Sequence, residues 1–87
     1  MVFPDIHPLK PIHLLIVTKK HIPDLQSLKG DDLSLLAEII QVAQQIAKKK
    51  NILDGYRLLT NNGRGSGQTI FHLHFHLIGG DVLGPMA

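Results

Sequence analysis

The stretch Ile70-Phe71-His72-Leu73-His74-Phe75-His76-Leu77-Ile78 alternates apolar and histidine side chains without a break. A period of two belongs to a β-strand, so Phe71, Leu73, Phe75 and Leu77 share one face while His72, His74 and His76 share the other. The aromatic face is the core face. Three imidazoles then stand about 6.5 to 7 Å apart along the opposite surface. We read the strand as Thr69 to Ile78, ended by Gly79-Gly80.

The rest of the chain supplies partners for that strand. Ile12-His13-Leu14-Leu15-Ile16-Val17-Thr18 is apolar and rich in β-branched residues, which suits a strand covered on both faces, with His13 its one polar interruption. Tyr56 to Thr60 reads as a short strand, joined to the histidine strand by a polar, glycine-rich loop from Asn61 to Gln68. Val2 to Pro11 holds three of the five prolines and reads as extended and exposed. Pro23 opens a helical turn through Leu28, and Asp31 or Asp32 caps a long helix from about Asp31 to Lys50. Two apolar stripes run along it: Leu33, Leu36, Ile40, Ala43 and Ala47, then Leu35, Ile39, Val42 and Ile46. One stripe can cover the sheet and the other a partner, or both can be buried. Lys48 to Lys50 complement the helix dipole, and Asn51 can terminate the helix.

Eighty-seven residues with 44% hydrophobic composition make one domain, 1–87. A domain this small buries little over ~60% of its unfolded surface, so a homodimer is a physical expectation. The net charge of +2 and scattered lysines make a poor nucleic-acid footprint. No apolar run approaches the ~18 residues that span a bilayer, and the first residues lack a signal-peptide layout. With no cysteine, thiolate metal sites and disulfides are excluded, and the expected location is cytoplasmic.

Three readings of the histidine face stay open on residues alone: a solvated strand face, a Zn²⁺ site completed from elsewhere, and an anion site. The loop favours the last. Glycines at 63, 65 and 67 with amide and hydroxyl donors around them let backbone N–H groups approach a phosphate.

His72-x-His74-x-His76-Leu77-Ile78-Gly79-Gly80 resembles the signature of the histidine triad (HIT) superfamily. Asn61-x-Gly63 with Gly67-Gln68-Thr69 resembles the loop that precedes that signature. Asp5-Ile6-His7-Pro8 and Pro11 to Ile22 look like the upstream block, and the nearest branch is that of the Hint-like nucleoside phosphoramidases. The resemblance implies an α+β fold, with an antiparallel sheet, one long helix and one short helical turn, completed by dimerisation. It implies that His74 attacks the α-phosphorus of a purine nucleoside 5′-phosphoramidate or related ester, giving a nucleotidyl-histidine that water hydrolyses. A backbone carbonyl near His72 would fix the His74 tautomer, and His76 and His13 would orient the nucleophile and protonate the leaving group. Asn61, Gly67, Gln68 and Thr69 would bind phosphate, Asp5 the ribose hydroxyls and Ile6 the base, with no cofactor or metal. Relatives usually carry further opening strands before the Asp5 position, so an exposed sheet edge is expected here. Dinucleoside polyphosphate hydrolysis, or nucleotide binding with weak catalysis, are the alternatives within this resemblance.

Overall fold

The computed structural model describes residues 1–4 and 11–85. Among them, four strands form one antiparallel sheet in the order β1-β2-β4-β3, with β1 Val2–Pro4, β2 Ile12–Val17, β3 Tyr56–Leu59 and β4 His74–Gly79. One long helix, α1 (Leu33–Lys49), and short 3-10 turns at Leu25–Ser27, Gly30–Asp32 and Arg64–Ser66 complete it. The α+β expectation holds.

The histidine strand is shorter than its alternation suggests. β4 begins at His74, opposite Val17 at the end of β2, and β3 ends at Leu59 opposite His76. Neither neighbour extends to residues 69–73, and a strand needs a ladder partner as well as a pattern. Instead the Leu73 N–H donates to the Ile22 carbonyl at 2.6 Å. His72 therefore lies just before the strand. At the other edge, Val2–Pro4 pairs with Leu14 to Ile16, so the proline-rich opening contributes a strand after all. Proline is tolerated there because an outer strand can leave one row of donors unused.

Leu77 lies at the centre of the core with Ile16, Ile39 and Ala43, and Leu14, Leu36, Val42, Ile46, Leu58 and Phe75 pack around them. The buried side of α1 draws on both sequence stripes. Ile39, Ala43 and Ala47 are buried, while Leu33 and Ile40 of the first stripe are 57% and 51% exposed.

The helix starts differently from expectation. The Asp32 carboxylate does not cap α1 itself; it accepts from the Lys29 N–H and pairs with Lys20. The short turn expected after Pro23 spans Leu25–Ser27, where Asp24 accepts hydrogen bonds from the Ser27 N–H and hydroxyl. At the other end Asn51 adopts φ 59°, so the Asn51 and Ile52 N–H groups reach the Lys48 and Ala47 carbonyls. This left-handed closure satisfies the last turn and directs the chain into β3. No helix among the described residues is long and apolar enough to cross a membrane.

Candidate active site

Side chains directly opposite in an antiparallel pair share a face. Leu14, Ile16, Leu58, Phe75 and Leu77 face α1, so the other surface carries His13, Leu15 and Val17 on β2, His74 and His76 on β4, and Leu59 on β3. Two of the three motif histidines thus join His13 on the face away from the helix.

These rings form a row. His13 Nε2 lies 2.9 Å from His76 Nδ1, and the ring centroids of His13 and His76, and of His76 and His74, are each 5.2 Å apart. Two ring nitrogens at that separation share one hydrogen: one donates and the other accepts. His13 is buried.

The tautomer of neutral His74 follows from its neighbour. His74 Nδ1 is 2.8 Å from the His72 carbonyl oxygen, which can only accept, so Nδ1 carries the hydrogen. The lone pair of the neutral ring is then on Nε2. His72 is fixed in the same manner: its Nε2 is 2.7 Å from the Thr18 carbonyl and donates to it, while His21 packs edge-on against the ring at a centroid distance of 5.1 Å. The His72 ring is engaged with the residue 18–21 bend, apart from the row formed by His13, His76 and His74.

The Thr60 hydroxyl donates to the His74 carbonyl at 2.6 Å, anchoring the nucleophile candidate's backbone from the β3 side. Neither Thr60 nor Thr18 stands out in the sequence. Only the β3-to-β4 register, which brings the end of β3 beside His74, would have pointed to Thr60.

The loop is built inward. The N–H groups of Ser66 and Gln68 donate to the Gly63 carbonyl, and that of Gly67 to the Arg64 carbonyl. Gly67 sits at φ 101° with its N–H inside the turn, a backbone angle that a side chain would strain. Gln68 is buried: its amide oxygen accepts from the Gly63 N–H at 2.7 Å, and its amide nitrogen donates to the Pro23 and Ile70 carbonyls at 2.8 and 2.9 Å. In this arrangement both amide hydrogens of Gln68 hold the loop together. Asn61, half-buried, follows Thr60 directly, and Thr69 is exposed. Asp5 and Ile6 lie outside the described residues.

Among the described residues, no group of three or more His, Asp or Glu is placed to hold a metal ion. A cavity of about 670 Å³ lies at the far end of β3 and β4 between Asn51, Tyr56, Arg57 and Asp81, and includes none of the histidines.

The chain is similar to known proteins over nearly its whole length. The HIT domain matches residues 1–83. A protein of Chlamydia trachomatis named "Uncharacterized HIT-like protein" is 49% identical over 87 residues, all of this chain and 78% of that protein. The "Purine nucleoside phosphoramidase" of Escherichia coli K12 is 42% identical over 85 residues, 97% of this chain and 71% of that protein. Among solved structures, the HIT family hydrolase of Legionella pneumophila superposes with a TM-score of 0.92 at 42% identity, covering 95% of this chain and 75% of that one. A histidine triad protein from Clostridium difficile superposes at 0.93 with 33% identity, covering 99% of this chain and 76% of the other.

Proposed function

This chain belongs to the HIT domain family, and from that premise we propose that it hydrolyses purine nucleoside 5′-phosphoramidates through a covalent intermediate on His74. The observation that carries the reading is the contact from His74 Nδ1 to the His72 carbonyl, because it leaves the nucleophilic lone pair on the opposite nitrogen.

In the first step, the Nε2 lone pair forms a bond to the α-phosphorus as the bond from phosphorus to the amine breaks. The amine departs with a proton from the imidazolium form of His76. That cation is held by neutral His13, whose Nε2 accepts the Nδ1 hydrogen across 2.9 Å. In the second step, water attacks phosphorus and gives its proton to His76, and the His74 imidazole leaves as the nucleoside 5′-monophosphate is released. Asn61 and Thr69 meet the phosphoryl oxygens in this reading, Gly67 and Gln68 shape the loop, and Asp5 and Ile6 hold the ribose and base. His72 serves through its carbonyl. The site works as a homodimer, supported by the outer position of β3 and by the exposed Leu33 and Ile40 of α1.

The test is trapping. Adenosine 5′-phosphoramidate labelled at phosphorus is mixed with the protein and quenched within a turnover. Label on the wild-type chain, absent from His74→Ala, is the expected result. Turnover by folded His74→Ala at the wild-type rate would overturn it, and AMP binding without turnover would leave a nucleotide-binding module instead.

A further inference from the structure

The His74 tautomer depends on a carbonyl that the sheet does not hold. β4 begins at His74, so the His72 carbonyl precedes the ladder, and its placement comes from the bend over residues 18–22. Two hydrogen bonds make that attachment: His72 Nε2 to the Thr18 carbonyl at 2.7 Å and the Leu73 N–H to the Ile22 carbonyl at 2.6 Å. Leu73 and Ile22 are both buried, which fixes the far side of the bend in the core.

The near side of the bend is tied elsewhere. The buried Thr18 hydroxyl donates to the Lys20 carbonyl at 2.9 Å, closing the bend on itself. The Lys20 ammonium reaches Asp32 Oδ1 at 2.6 Å, while Asp32 Oδ2 accepts from the Lys29 N–H at 3.1 Å. The Asp32 side chain is only 9% exposed, so its carboxylate is a fixed post just before α1. A connected path therefore runs from the helix start through Asp32, Lys20, Thr18 and His72 to the His74 ring.

We propose that the Thr18 hydroxyl and the Lys20–Asp32 ion pair are positioning groups for His74: they fix the 18–22 bend, which fixes the His72 carbonyl that keeps the His74 Nε2 lone pair aimed outward. The inference rests on the phosphoramidase reading for its kinetic consequence, and on geometry alone for its effect on the ring. None of the three residues touches the reacting atoms. A small displacement of a nucleophile is enough to matter, since misplacement by about 1 Å can cost ~10²-fold in rate.

The experiment compares wild type with Lys20→Met, Lys20→Arg, Asp32→Asn and Thr18→Val, all as the full chain and at a temperature where each is folded by circular dichroism. Two readouts are taken. In ¹⁵N-labelled protein the His74 ring nitrogens report the tautomer, and the expected result is one protonated Nδ1 in wild type against a mixture or rapid exchange in Lys20→Met and Thr18→Val. With adenosine 5′-phosphoramidate, kcat is expected to fall by about three- to tenfold in the same variants with KM changed less than about twofold, and Lys20→Arg to restore it. A wild-type tautomer and wild-type kcat in both Lys20→Met and Thr18→Val would overturn the inference. An inactive wild type would sink the phosphoramidase reading only, because the ring spectra would still decide whether these residues hold His74.

Discussion

His13 and His76, 63 positions apart in the chain, bring their Nε2 and Nδ1 atoms to 2.9 Å across the pairing of β2 with β4. Such a pair can hold a proton on His76 and release it to a leaving group. His76→Ala should therefore lower turnover of phosphoramidates with strongly basic amines by about 10²–10⁴-fold, the usual worth of a general acid. With a weakly basic aryl amine the loss should be much smaller, since that group departs with less help. His13→Ala should show the same dependence on leaving-group basicity with a smaller amplitude. Steady-state kinetics across a series of amines checks this; an equal loss for every amine would show that His76 does not deliver the proton.

The Lys20 ammonium beside Asp32 holds its carboxyl below the usual aspartate range, helped by the Lys29 N–H and opposed by burial. A carboxyl with a depressed folded value stabilises the protein above its unfolded pKa of about 3.9, and that contribution disappears as pH falls through the folded value. Asp32→Asn should accordingly be less stable than wild type at pH 6, with the gap narrowing below about pH 4. Urea unfolding at a series of pH values measures it. A gap that stays constant down to pH 2 would mean that the charge on Asp32 contributes nothing to folding.

Much of this was legible in the sequence where one element carries its own signal. The helix reads directly from its periodicity, its lysine-rich end and Asn51, because these act within a few residues of one another. His13, His74 and His76 are recognisable because strand alternation puts the last two on one face and the family pattern singles out the first. What depends on a partner was not legible. The alternation continues back to Ile70, yet the ladder starts at His74 because β2 and β3 have run out. Thr60, Thr18 and Lys20 matter through contacts made 14, 54 and 12 positions away, and nothing local in their neighbourhoods marks them.

Gln68 separates a phosphate ligand from a loop fastener. Its side chain accepts from the Gly63 N–H and donates to the Pro23 and Ile70 carbonyls, so the residue bridges three segments from a buried position. Gln68→Ala leaves those groups without their partner and should cost about 1–3 kcal/mol. Gln68→Glu should cost more, because a carboxylate would face two carbonyl oxygens where an amide now donates. Both variants are checked by thermal and urea unfolding. If Gln68→Ala instead keeps wild-type stability and raises KM for nucleotide, its role is ligand binding.

The two exposed apolar residues of α1 lead to a prediction about assembly. Leu33 and Ile40 are seven positions apart, about two helical turns, and both are exposed, while Ile39 and Ala43 pack into the Leu77 core. β3 is an outer strand with only β4 beside it among the described residues, and an outer strand presents hydrogen-bonding groups that a second copy can use. Sedimentation velocity should find the wild type at twice the chain mass at micromolar concentration, with a melting temperature that rises with concentration. Placing charges in that contact with Leu33→Asp and Ile40→Asp should shift the protein to monomer and remove the concentration dependence. Both positions are solvent-facing in the single chain, so neither substitution disturbs the Leu77 core. A wild type that stays monomeric at every concentration, with stability independent of concentration, would remove the homodimer from the proposed function.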